Sequence, residues 1–230
     1  MPFKLLVMIL LEPNKAFSII KERHYSTLFL PLLINLVGWS LLFFWYYHTV
    51  DISWLQHSLL PAASEAQRQA MSKFMTPLFM SISSLVGVWL VVPIITAIMA
   101  GYFVLVSKLK GVAIGFGHWF GFVVWSGVPG LLLLPIGMMM ILLTPSGQLS
   151  AAQLDPASLN QLFFHLSSTS GWGKLLDAVP LPAFWSYLLL VIGYRNWTSS
   201  SGVASVLLPL APSILFYGGW ALLIVLGGHA

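Results

Sequence analysis

The side chains best suited to chemistry in this chain are few and scattered. Its six histidines are His24, His48, His57, His118, His165 and His229. A helical metal site needs ligands three or four residues apart, so that two side chains share one face. No histidine here has another four residues on, and no glutamate stands three residues before one. The chain has no cysteine, which removes thiolate nucleophiles and thiolate ligands. The phosphate-cradling G-x-x-x-x-G-K-[ST] and the nucleophile elbow G-x-S-x-G are absent. No catalytic residue, metal or cofactor is expected on these grounds. Two polar residues stand inside apolar stretches, Asn35 and His118. An amide or imidazole placed there either bonds across helices as part of the packing or serves a function.

The elements that must position those two residues are membrane spans. Charged residues make up 7% of the chain and hydrophobic ones 58%, where a soluble domain carries about 25% charged residues. A protein core cannot hide that much apolar surface, so lipid must cover part of it. A bilayer-crossing helix needs about 20 apolar residues. Four stretches qualify: Leu28–Tyr47, Thr76–Val106, Phe116–Thr144 and Gly202–Leu226. A shorter one, Val179–Tyr194, makes a fifth. The expected fold is all-α, a five-transmembrane-helix bundle with amphipathic interfacial helices. Residues 1–27 form a cytoplasmic amphipathic segment and 28–230 the five-span domain, with outer segments 48–75 and 145–178.

Basic residues choose the orientation, because cytoplasmic loops carry the excess of Lys and Arg. With the N-terminus inside, the inner segments hold Lys4, Lys15, Lys21, Arg23, Lys108, Lys110 and Arg195, and the outer ones only Arg68, Lys73 and Lys174. Five spans then place the C-terminus outside. Arg195, between Tyr194 and Trp197, reads as a snorkelling anchor at the inner interface. Phe3–Leu11 is too short to cross and lacks a following cleavage site, so it is expected to lie in that interface. Pro13 opens a helix with Ala16, Phe17, Ile20 and His24 on one face, which either fixes topology or docks a partner.

Small residues mark expected helix contacts. Ala97-x-x-x-Gly101 on the second span and Gly117-x-x-x-Gly121 on the third are expected to pack against each other. The third span is also broken by Gly127, Pro129, Gly130, Pro135 and Gly137. Such a helix is either closely packed among others or, as in transporters, unwound around a site. In the first outer segment Ser64 and Gln67 form a capping box that starts a helix near Glu65. In the second, Asp155-Pro156 reads as a helix start. The apolar repeats Leu159–Leu166 and Trp172–Val179 then predict two amphipathic helices that shield Phe163 and Trp172 from water.

The whole chain resembles the YIP family, the Ypt/Rab-interacting membrane proteins and their bacterial relatives. The resemblance rests on Leu11-Glu12-Pro13-Asn14-Lys15-Ala16-Phe17, on the Lys108–Gly111 turn before a Gly-rich third span, on Phe122 to Pro129, on Ile192-Gly193-Tyr194-Arg195, and on a last span with Pro209 and Pro212. The eukaryotic members' Asp-Leu-Tyr-Gly-Pro motif is missing, which removes the warrant for Rab-type GTPase binding. The resemblance implies a multi-pass protein of a bacterial cytoplasmic membrane. The expected function is a non-enzymatic membrane adaptor or assembly subunit. Its partners would be membrane lipids and membrane proteins, a second copy included, and not nucleic acid. The alternative is a transporter or lipid-handling protein using the broken third span.

Overall fold

The computed structural model describes residues 2–22, 29–59 and 64–227. Arg23, His24, Leu28, His229 and the C-terminal Ala230 lie outside the described residues. Among the described residues the elements are helical: α1 (Pro2–Leu11), α2 (Pro13–Glu22), α3 (Leu30–Thr49), α4 (Ile52–Leu59), α5 (Glu65–Ser72), α6 (Pro77–Leu109), α7 (Phe116–Ser126), α8 (Leu133–Leu143), α9 (Gly171–Asp177), α10 (Leu181–Thr198) and α11 (Ala204–Leu226). Three are long and apolar enough to cross a membrane: α3, α6 and α11. The stretch from Phe116 to Leu143 joins them as a fourth if its two helices, bent by 40° at a break, count as one span. The break is a 3-10 turn over Val128–Leu132. Pro129 and Pro135 lack the N–H groups that would continue an α-helical ladder through it. α10 has 18 residues with Arg195 and Asn196 in its last turn, and it does not reach the same apolarity. The integral membrane class therefore stands, with three or four crossings by length and composition where five were expected.

The chain divides into two compact units. One comprises residues 1–35, 92–132 and 181–230; the other comprises 36–91 and 133–180. The first is built on an aromatic core. Phe17 of α2, Phe103 of α6, Trp119 and Phe122 of α7, and Tyr194 and Trp197 of α10 are all buried. Trp119 lies 5.1 Å from Phe103 and 5.2 Å from Trp197, centroid to centroid. Aromatic pairs at this spacing gain about 0.5–1.5 kcal/mol beyond the area they bury. Leu5 and Ile9 of α1 and Ala16 and Ile20 of α2 extend this core. One apolar face of each N-terminal helix is thus covered by protein, while Phe3, Val7 and Leu11 of α1 stay exposed on another. Tyr194 and Trp197 likewise belong to the core, and Trp197 Nε1 donates to the Phe17 carbonyl at 3.0 Å. They are not interface anchors. Arg195 projects the other way and donates from Nε to Ser205 Oγ at 2.8 Å.

In the second unit, α3 and α8 approach closely at Gly137, where an added Cβ would stand 2.9 Å from Leu42 Cδ2. The buried Tyr46 hydroxyl donates to the Leu149 carbonyl at 2.8 Å. Asp51 N–H donates to the Gly147 carbonyl at 2.9 Å, and Gly147 has φ +70°, which suits glycine. Ser64 caps α5 as its sequence predicts, with the reciprocal bond from the Ser64 N–H to Gln67 Oε1.

Candidate functional site

Asn35 is the sixth residue of α3, roughly 8 Å along the helix from Leu30. Its side-chain carbonyl oxygen is buried and accepts no hydrogen bond. Asn35 lines a cavity of about 170 Å³ shared by Pro31 of α3, Val92 and Thr96 of α6, Val123 of α7, and Gly127 and Leu131 at the break after α7. Thr96 Oγ1 donates to the Val92 carbonyl at 2.7 Å, so its oxygen can only accept from anything in the cavity. An unsatisfied buried acceptor costs about 1–3 kcal/mol. No charged side chain lines the space. The site can hold a neutral hydrogen-bond donor. His118, the other polar residue expected inside the spans, sits in the first turn of α7 and is not part of this cavity.

The expected contact between the two small-residue faces is not what joins α6 to α7. A Cβ built on Gly101 meets nothing within 4 Å, so that glycine faces open space, and Ala97 is half-buried. The buried stripe of α6 is Thr96, Ala100, Phe103 and Ser107, at helical spacing. It meets α7 through the stacked Phe103 and Trp119 rings and through Trp119 Nε1, which donates to Ser107 Oγ at 3.1 Å. The physical reason is angular. Gly101 stands about 100° around the helix from Ala100, off the stripe. On α7, Gly121 is buried and Gly117 half-buried. The tightest approach in this unit is at Gly193 of α10, where an added Cβ would lie 2.6 Å from Phe122 and 2.7 Å from Phe17. Sequence spacing missed it, because Gly193 has no small residue four positions away.

A second feature is a groove of about 430 Å³ between α6, α10 and α11, lined by Ile98, Met99, Tyr187, Pro212, Phe216 and Tyr217. Pro212 has no N–H for the Leu208 carbonyl. The Tyr102 hydroxyl of α6 donates to that carbonyl at 2.7 Å and ties α6 to α11. Pro212 in the sequence signalled that a donor was needed there, though not which one. Tyr102→Phe leaves the carbonyl unpaired and is expected to lower stability by about 1–3 kcal/mol. Denaturant unfolding in a fixed detergent measures it, and a change under about 0.5 kcal/mol would mean the bond contributes little.

The second outer segment departs from its expected two helices. Asp155 Oδ1 accepts from the Ala157 N–H at 3.1 Å, forming a turn instead of a helix start. The buried Asn160 then closes the chain on itself, bonding both the N–H and the carbonyl of Leu166 at 2.9 and 3.0 Å. Only a single π-turn forms, over Asn160–Phe164. The second helix is present as the short α9, capped by Ser170. The protein leaves Phe163 64% exposed, while Trp172 is half-buried. Phe163 is therefore not shielded by the chain itself.

In this segment Asp177 Oδ1 accepts from Gln161 Nε2 at 3.2 Å, and its other oxygen is buried without a partner. Burial, and secondarily the Asp177 charge, push the Asp155 carboxyl above the usual carboxylate range. A carboxyl whose folded pKa is raised favours the folded state at low pH, and that stability is lost as pH rises through the folded value. Acidification from neutral towards the ordinary aspartate value should therefore stabilise this segment. Asp155→Asn should remove that response. Hydrogen exchange of Ala157–Leu166 against pH is the measurement, and an equal pH response in the variant would contradict it.

Among known families, the Yip1 domain model matches residues 7–223. No curated protein and no solved structure matches the chain. The matched region contains both units' spans, the Asn35 cavity and the groove beside α11.

Proposed function

This chain belongs to the Yip1 domain family, and from that premise we propose that it is a non-enzymatic membrane adaptor that holds partner proteins within the bilayer through α11. The observation that supports this is how little of α11 the protein packs. Only 11% of its most apolar 18-residue window is buried, against 28% for α3 and for α6. Gly218 and Gly219 stand on its exposed side, and a Cβ on either meets nothing within 4 Å. Without a hydrophobic drive between helices in lipid, small residues are what let a second helix approach closely. A partner helix, from another protein or a second copy, is the occupant that such a notch suits.

The reading includes five crossings in a bacterial cytoplasmic membrane, with the N-terminus cytoplasmic and the C-terminus outside. The distribution of basic residues supports it, as does α10, whose 18 residues extend roughly 27 Å. Reporter fusions in the Lys108–Gly111 turn and after Ala230 should report opposite sides, and the same side for both would remove the fifth crossing. Lipid handling is the second reading, favoured by the groove beside Tyr187 and Tyr217.

Gly218→Leu and Gly219→Leu test the adaptor reading cleanly. The added side chains strike nothing in the protein, so the melting curve should hold while a partner helix is kept away. Copurification from native membranes should lose specific protein partners, or the second copy, in these variants. An unchanged partner set with unchanged stability would refute α11 as the docking helix.

A further inference from the structure

We propose that the cavity at Asn35 is a binding site for a neutral hydroxyl-bearing group, supplied by the glycerol headgroup of a membrane lipid or by a free polyol. This goes beyond the adaptor reading and does not depend on it. Asn35 brings a buried carbonyl oxygen with no donor. Thr96, across the same cavity, has its own proton committed to the Val92 carbonyl, so it too offers only lone pairs. The site therefore presents acceptors on both α3 and α6, and its occupant must donate to each.

The cavity's contents follow from elimination by magnitude. An ion there would be stripped of water with no opposite charge on the lining, a cost of several kcal/mol after relaxation. A hydrocarbon chain would leave the Asn35 oxygen unpaired, at about 1–3 kcal/mol. A single water would fill little of the space of about 170 Å³, so a group of waters is the competing occupant. A hydroxyl both donates and accepts, so it satisfies either end of the Asn35 amide. A compound with two neighbouring hydroxyls can serve Asn35 and Thr96 together. The cavity also lies near the beginning of α3, roughly 8 Å along the helix from Leu30.

The test uses the full chain in nanodiscs of phosphatidylglycerol or of phosphatidylcholine, with Asn35→Leu and the nearly isosteric Thr96→Val beside the wild type. Lipid retention is read by native mass spectrometry. The response to free glycerol is read as a shift in melting temperature. If the group comes from lipid, the wild type retains phosphatidylglycerol over phosphatidylcholine, and both variants lose that preference by about tenfold. If it comes from a free polyol, both lipids are held equally and glycerol stabilises the wild type more than either variant. Near-UV circular dichroism shows that each variant is folded, and Thr96→Val carries the comparison if Asn35→Leu does not fold. A wild type with neither a lipid preference nor an excess glycerol response overturns the proposal and leaves water as the occupant. So does either response surviving unchanged in the folded variants.

Discussion

Gly193→Leu is expected to destabilise the protein by at least about 2 kcal/mol. A Cβ at this position already stands 2.6 Å from Phe122 Cε2 and 2.7 Å from Phe17 Cζ. Neither ring can yield. Phe122 packs edge-on against Phe103 and Trp119, both at 5.1 Å, and Phe17 lies 5.4 Å from Phe122. Overpacking a core costs about 1–3 kcal/mol per insertion and occasionally more. Replacing a helical glycine returns about 0.8–1 kcal/mol of propensity, which offsets part of the cost for alanine, so leucine is the informative choice. Gly101→Leu is the matched control. It gains the propensity and meets open space, so it should be neutral or stabilising in detergent. Thermal unfolding of the two variants side by side decides, and equal midpoints would contradict the three-helix packing of α2, α7 and α10.

Trp119→Ala carries the second large effect, a loss of about 3–5 kcal/mol, the range for truncating a buried tryptophan. Trp119 is fully buried. Its ring stacks on Phe103, meets Phe122 edge-on and packs on Trp197, and its Nε1 reaches Ser107. Trp119→Phe keeps an aromatic ring but removes three ring atoms, the donor among them, so it should cost about 1–3 kcal/mol, less than alanine. Denaturant unfolding of both variants separates packing from hydrogen bonding. Equal losses would place the effect in the hydrogen bond instead of the core.

The spans were legible because apolar length is a property of composition. α3, α6 and α11 fall within a few residues of their predicted limits. The kink at the third span was legible because Pro129 and Pro135 forbid a continuous ladder. What covers each face was not legible. The pattern Ala16, Phe17, Ile20 announces a buried stripe equally well for lipid or for protein, and only the fold shows Phe17 against Phe122. Small-residue spacing pointed to Gly101, yet helical phase turns Gly101 away from the stripe that Ala100 and Phe103 occupy. The Leu159–Leu166 repeat had helical period but lost to local polar competition, since Asn160 and Asp155 bond nearby backbone and stop the helix after one turn. Asn35 was visible as an amide inside a span. That its oxygen would be left unpaired beside a cavity depended on α6 and α7.

Photo-crosslinking along α11 tests the adaptor reading most directly. A photoreactive residue at Leu215 or Leu223, both well exposed on α11, is compared in native membranes with one at Leu41 of α3, which is also well exposed. The account predicts discrete protein adducts of fixed mass at Leu215 and Leu223, lost when Gly218→Leu or Gly219→Leu is added, and lipid adducts alone at Leu41. Lipid adducts alone at all three positions would contradict it.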